Sequence, residues 1–189
     1  MEFSISYTPV STRFSSMSQS ELKAFYEWFM RNLPYSIEEL RASVRNSCGF
    51  ENWEADDTPR SLETLGDWLS GNVGKRSLSA KERGIIERVS NQFQQPHWDL
   101  TDETKSLVVA VGMYYGEVAI KNLPALKWEQ LMGSKRQADF GQPVVAGEGV
   151  VPINPVRVAH AFACGLINGT RERQQLREAY DYWTSRVAL

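Results

Sequence analysis

Histidine and cysteine are scarce in this sequence: 189 residues hold only His97, His160, Cys48 and Cys164. Metal centres usually draw three or four ligands from such side chains at short spacing, so no metal site is expected. No Cys-x-x-Cys pair occurs, and the cysteines lie far apart, which points to two buried free thiols in a reducing compartment. Positive charge is not in excess either. Lys and Arg number 21 against 23 Asp and Glu, a net charge of −2. A phosphate backbone would find no global field to bind, and nucleic acid is not an expected partner. No apolar run approaches the roughly 18–20 residues that span a bilayer, so no membrane association is expected. Residues 1–20 are rich in Ser and lack the basic start and apolar core of a signal peptide. The expected location is the cytoplasm.

Catalytic signatures are missing as well. The sequence has no phosphate-binding G-x-x-x-x-G-K-[ST], no G-x-G-x-x-G, no G-x-S-x-G and no H-E-x-x-H. Gly147-Glu148-Gly149 lacks the third glycine, and Glu148 would repel phosphate, so it reads as a turn. Neither a catalytic residue nor a cofactor is expected.

What is present is an ordinary globular composition, 42% hydrophobic and 23% charged. The length suits one domain with a core large enough to need no staple. Residues 1–17 alternate apolar and polar at Phe3, Ile5 and Tyr7, which suggests a strand or an extended arm. Ser18 and Glu21 form a capping box ahead of Leu22, Phe25, Tyr26, Phe29 and Leu33, the apolar stripe of a helix over 19–33. Pro34 is expected to stop it. Ser36 and Glu39 repeat the box and predict a second helix ending near Gly49. A loop over 51–59, a helix over 61–69 and another loop around Gly71 and Gly74 follow. Ser79 and Glu82 open a helix expected to run through Gln94 until Pro96, with Ile85, Ile86, Val89 and Phe93 inward.

The stretch 101–123 is apolar nearly all round, the pattern of an enclosed central helix. Gly112 and Gly116 share one face of it and would let another element approach closely, at about 1 kcal/mol each in helix propensity. Lys127–Met132, Gln142–Ala146 and Val150–Ile153 read as a hairpin or a small three-stranded antiparallel sheet. Asn154 caps a helix with Pro155 at its first position, ending at Asn168-Gly169. A last helix is predicted over 170–187. The fold class is therefore α+β, helix-predominant, with helices flanking a small antiparallel sheet in a single domain.

Three groups of residues could carry function. Glu117 interrupts the apolar run of 101–123 and would need a cation if buried, Lys121 or Arg157. His160 and Cys164 share a helix face and form a conceivable nucleophile pair, although an isolated imidazole is usually structural. The third is an acidic segment, Glu51, Glu54, Asp56, Asp57, Glu63 and Asp67, followed by a basic one, Lys75, Arg76, Lys81, Arg83 and Arg88. Trp53 lies inside the acidic segment. Trp53, Glu54, Asp56 and Asp57 are the candidate partner-binding residues: a tryptophan anchor in a field that would attract a basic partner.

Tyr115-Gly116-Glu117-Val118, Lys121-Asn122-Leu123, Lys127-Trp128-Glu129, Gln142-Pro143-Val144-Val145 and Val151-Pro152 together resemble a loose group of small bacterial proteins. Some of these look like immunity proteins of polymorphic toxin systems. The resemblance covers roughly residues 105–168 and rests on framework positions. It implies a cytosolic protein that binds a cognate toxin, one with a basic active-site surface, and blocks it by occlusion. Two other readings stay open: an enzyme of unrecognised type with a site near Glu117 or His160, and a scaffold or adaptor using exposed aromatic residues.

Overall fold

The structure, a computed structural model, describes residues 13–89 and 97–187, the side chains of 85–89 excepted. Among the described residues the order is α1 (Gln19–Arg45), α2 (Ser61–Ser70), β1 (Lys75–Ser77), α3 (Ala80–Val89), β2 (Trp98–Leu100), α4 (Asp102–Asn122), β3 (Lys127–Gln130), β4 (Pro143–Ala146), α5 (Pro155–Ile167) and α6 (Gln175–Val187). The protein is α+β with helix predominant, and its strands form two separate antiparallel pairs, β1–β2 and β3–β4. No described helix is long and apolar enough to cross a membrane.

The capping box of α1 forms as its sequence requires: the Ser18 N–H donates to Glu21 Oε2 at 2.8 Å, and the Glu21 N–H donates to Ser18 Oγ at 3.3 Å. Pro34 does not end this helix, contrary to expectation; α1 continues to Arg45. A proline here removes one backbone hydrogen bond and crowds the previous turn. The buried stripe nevertheless runs on in phase through Leu33, Ser36, Leu40 and Val44, and tertiary burial outweighs the local cost. Ser36 is accordingly a buried helix-interior residue, 2% exposed, and caps nothing.

The third box behaves as predicted, with reciprocal bonds between Ser79 and Glu82 opening α3. α3 is described through Val89; its predicted continuation to Gln94 and the stop at Pro96 lie outside the described residues, as does the inward face expected of the side chains at Ile85, Ile86, Val89 and Phe93. So does the alternation at Phe3, Ile5 and Tyr7. Of residues 1–17, Phe14–Ser16 make a single 3-10 turn. It drops Phe14 into a small cluster with Leu22, Phe25 and Phe140.

α4 is the enclosed helix the sequence predicts. Thr101 caps it, and every residue from Val108 to Gly116 is buried. It packs on α1, α5, α6 and β4. The two glycines on one face work as anticipated. A Cβ on Gly112 would lie 2.5 Å from the Cα of Val156, at the start of α5, and one on Gly116 would run into the Trp128 ring. α5 begins at Pro155 behind the Asn154 cap and ends before Gly169, as read from sequence.

β3 and β4 pair with Lys127 opposite Ala146 and Gln130 opposite Pro143. One bridge, Val145 to Ile153, adds the third segment. The pair β1–β2, with Arg76 opposite Asp99, was not expected; in the sequence Lys75 and Arg76 read only as part of a basic segment. α6 starts later than predicted, because the Thr170 and Arg171 N–H groups both turn back to the Gly165 carbonyl.

Candidate functional site

The acidic loop between α1 and α2 is fastened to the middle and end of α4. Ser61 Oγ donates its only proton to the Thr58 carbonyl at 2.7 Å. In the 2.6 Å contact between Ser61 Oγ and the Tyr114 hydroxyl, Tyr114 must therefore be the donor. That leaves a lone pair on Tyr114 to accept the Asp57 N–H, at 3.2 Å. Eight residues further along α4, Asn122 Nδ2 donates to the Asp57 carbonyl at 2.7 Å. Asp57 is thus gripped at both its backbone groups.

The grip holds Asp57 at φ 57°, the one non-glycine residue with positive φ among those described. Asp tolerates this left-handed region better than most residues, though still at a cost. Its carboxylate takes no hydrogen bond or ion pair among the described residues. Next to it, Asp56 Oδ1 accepts from the N–H and hydroxyl of Thr58, at 2.9 and 2.7 Å, a side-chain turn that fixes the loop locally.

Other members of the segment are placed differently. Glu54 is held by two α1 guanidinium groups, Arg41 at 2.5 Å and Arg45 at 2.9 Å, so its charge is largely answered within the chain. The Glu51 carboxylate accepts the Gly49 N–H. Trp53 is a core residue, 6% exposed, which corrects its reading as an exposed anchor. Its indole N–H donates to the Ser61 carbonyl at 3.1 Å, and its ring meets Tyr114 edge-on at 5.6 Å. A large apolar ring gains more from the core than from solvent. Of the candidate partner-binding residues, Glu54 and Asp56 are exposed and Asp57 is half-buried.

Spacing in the sequence did not reveal Tyr114, Ser61 and Asn122 as the loop's supports, since each contact to Asp57 or between them crosses 53 to 65 positions where α4 is involved. One signal was available: a tyrosine in an enclosed helix needs a hydroxyl partner. Burial pushes the Tyr114 pKa up to about 12, so the hydroxyl stays a proton donor. Its neighbour Tyr115 is the contrast. The Tyr115 ring packs edge-on to Tyr180 at 5.7 Å, but its buried hydroxyl has no hydrogen-bond partner among the described residues. Tyr114→Phe should cost about 2 kcal/mol, because it strands the Asp57 N–H and a Ser61 lone pair, whereas Tyr115→Phe should be neutral or stabilising by about 1 kcal/mol. Urea unfolding of the two variants checks both signs.

Glu117 makes no ion pair among the described residues. Its Oε1 accepts the Trp128 indole N–H at 2.8 Å, and Arg157, expected as a counter-ion, pairs with Asp139 at 2.6 Å. Lys121 is exposed and makes no ion pair among the described residues. The basic segment is partly self-neutralised: Arg76 binds Glu82 and Asp99.

His160 and Cys164 do meet on α5, with Sγ 3.8 Å from Nδ1. Burial lowers the His160 pKa and raises that of Cys164. Both shifts favour the neutral thiol and imidazole over the charged pair that nucleophilic catalysis uses. Charges felt by His160 include that of Lys105, near the start of α4. Glu117 lies twelve residues along that helix from Lys105, about 18 Å at 1.5 Å per residue. Of the two thiols expected to be buried, Cys164 is half-buried and Cys48 is exposed, in the turn that closes α1. Among the described residues no group of three or more His, Cys, Asp or Glu side chains is placed to hold a metal ion.

Compared with protein-family models, with curated proteins and with solved structures, the chain matches none of them.

Proposed function

We propose that the chain is a cytosolic immunity protein that neutralises a cognate bacterial toxin by tight binding and occlusion, through the loop that carries Glu54, Asp56 and Asp57. The observation that carries the reading is Asp57. A residue in a costly backbone conformation persists where its surroundings impose it, and such residues cluster at functional positions. Here two side chains of α4 impose it, and the result is a fixed stretch of backbone whose carboxylate takes no hydrogen bond or ion pair among the described residues. A loop ordered before its partner arrives loses little freedom on binding. A negative group on a held backbone beside Asp56 complements a basic surface, such as surrounds the active site of an enzyme acting on phosphate-bearing substrates. Trp53 supports the loop from beneath in this reading.

The test is co-expression with the product of the adjacent reading frame, read by growth and by co-elution on size exclusion. Rescue of growth together with a stable complex supports the proposal; a harmless neighbour that forms no complex sinks it. Within a complex, reversing charge with Asp56→Lys and Asp57→Lys should weaken binding by tenfold or more and flatten its salt dependence. Asp57→Asn keeps a side chain that tolerates the same backbone region and should give a smaller loss of the same kind. Unchanged affinity in both would move the interface elsewhere.

A further inference from the structure

The turn between α5 and α6 carries none of the residues assigned to binding. It holds Asn168-Gly169, and no other asparagine of the sequence precedes a glycine. Asn168 caps α5 in helical conformation, φ −85° and ψ −4°. Gly169 then turns left-handed at φ 66°, a conformation open to a residue without a side chain. Asn168 is exposed, and its carboxamide takes no hydrogen bond among the described residues. Asn32, Asn72, Asn122 and Asn154 differ, since each donates from Nδ2 to an oxygen of the fold.

Asn46 is the closest match within the chain. It caps α1 at φ −79° and ψ −2°, is exposed, and has a carboxamide equally without partners among the described residues. The N–H that follows is held alike at both caps: Ser47 donates to the Val44 carbonyl at 3.0 Å, and Gly169 to the Leu166 carbonyl at 3.2 Å. Freeing that N–H therefore costs about the same at the two sites. What differs is the next residue. Ser47 carries a side chain, held between the Ser43 carbonyl and the Trp68 indole, which crowds the approach of its nitrogen to the asparagine. Gly169 has none, and a Cβ there would meet nothing within 4 Å. Asn52, also without a carboxamide partner among the described residues, precedes the buried Trp53.

We propose that Asn168 is a self-modification site, with water as the co-reactant; asparagine is among the thermolabile residues. The Gly169 nitrogen attacks Cγ of Asn168. The new N–Cγ bond closes a five-membered succinimide, the Cγ–Nδ2 bond breaks, and the amide proton leaves with that nitrogen as ammonia. Water then opens the ring at either carbonyl and leaves aspartate or isoaspartate. Water is taken up, ammonia is released, and nothing is oxidised or reduced. Both products put a negative charge at the carboxyl end of α5, where the helix dipole disfavours it. Isoaspartate also adds a methylene to the main chain, in a turn without slack. The Thr170 and Arg171 N–H groups both return to the Gly165 carbonyl, and the Arg173 carbonyl lies so close to Gly66 of α2 that no Cβ would fit there. The extra length is therefore taken up by α6, which packs on α2 and is loosened from it.

The full-length chain is held at mildly alkaline pH, folded and in parallel in urea, and the asparagine-bearing peptides are followed by mass spectrometry for the exchange of NH2 for OH. In the folded protein Asn168 should convert at least tenfold faster than Asn46, with isoaspartate resolved from aspartate by chromatography. Equal rates at the two caps, or conversion of Asn168 in urea alone, would overturn the site. The comparison lies within one chain, so no variant has to fold. The purified isoaspartate form should exchange its α6 amides at least tenfold faster than Asn168→Asp, which has the charge without the added methylene. Equal exchange would overturn the loosening of α6 and confine the change to the turn.

Discussion

Gly112→Ala should destabilise the protein by about 3 kcal/mol, the upper part of the range for overpacking a tight core. On an exposed helix the same change would stabilise by about 1 kcal/mol, because Ala is the better helix former. The sign reverses here because of what the methyl group meets. Its carbon would lie 2.5 Å from the Val156 Cα and 2.8 Å from the Val156 nitrogen. These are backbone atoms and cannot rotate aside. Either α4 and α5 separate, opening gaps along a close-packed interface, or one helix bends. Gly84 supplies the control. It also lies in a helix, α3, but a Cβ there meets nothing within 4 Å. Gly84→Ala should therefore be neutral or stabilising by up to about 1 kcal/mol. Urea unfolding of the two variants side by side reads the opposed signs. Equal shifts for both would mean that α4 and α5 are not in backbone contact at Gly112.

Trp53→Ala should cost about 3–5 kcal/mol, the usual loss for a buried aromatic ring cut back to a methyl group. The ring fills space between the loop and α4, against Tyr114, and its N–H satisfies the Ser61 carbonyl at the first position of α2. Removing it takes away dispersion contacts and leaves that carbonyl with one partner fewer. Trp53→Phe separates the two contributions: it keeps most of the ring and loses only the hydrogen bond, for about 1 kcal/mol beyond the volume change. An exposed anchor would behave differently, with stability nearly untouched and only affinity reduced. Stability of Trp53→Ala within about 0.5 kcal/mol of the parent, the usual range for surface changes, would return the ring to the surface.

The contrast between Trp53 and Gly112 shows which features local sequence could carry. The glycine pair was legible because helix geometry places residues four apart on one face, whatever else the chain does. The caps at Ser18, Ser79 and Asn154 were legible for a similar reason, since each bond closes within three residues. Pro34 misled because the rule that proline stops a helix is local, while the stripe through Leu40 and Val44 that overrides it is tertiary. β1 and β2 were invisible: each is three residues long, too short to show a period, and the partners are far apart in sequence. The acidic character of 51–67 was plain, but which of its charges remain available was not. Glu54 is answered by α1, Asp57 is posed by α4, and Trp53 is withdrawn into the core, all through contacts that no spacing rule reaches.

The two strand pairs bracket one helix. β2 runs directly into α4, and β3 follows shortly after it. A two-stranded ribbon is at best marginal by itself in water, so neither pair can persist on its own hydrogen bonds. Each borrows its permanence from the helix that joins them. α4 between them is 21 residues long, roughly 30 Å at 1.5 Å per residue, and both pairs adjoin it in the chain. Whatever unseats α4 should therefore loosen both strand pairs together.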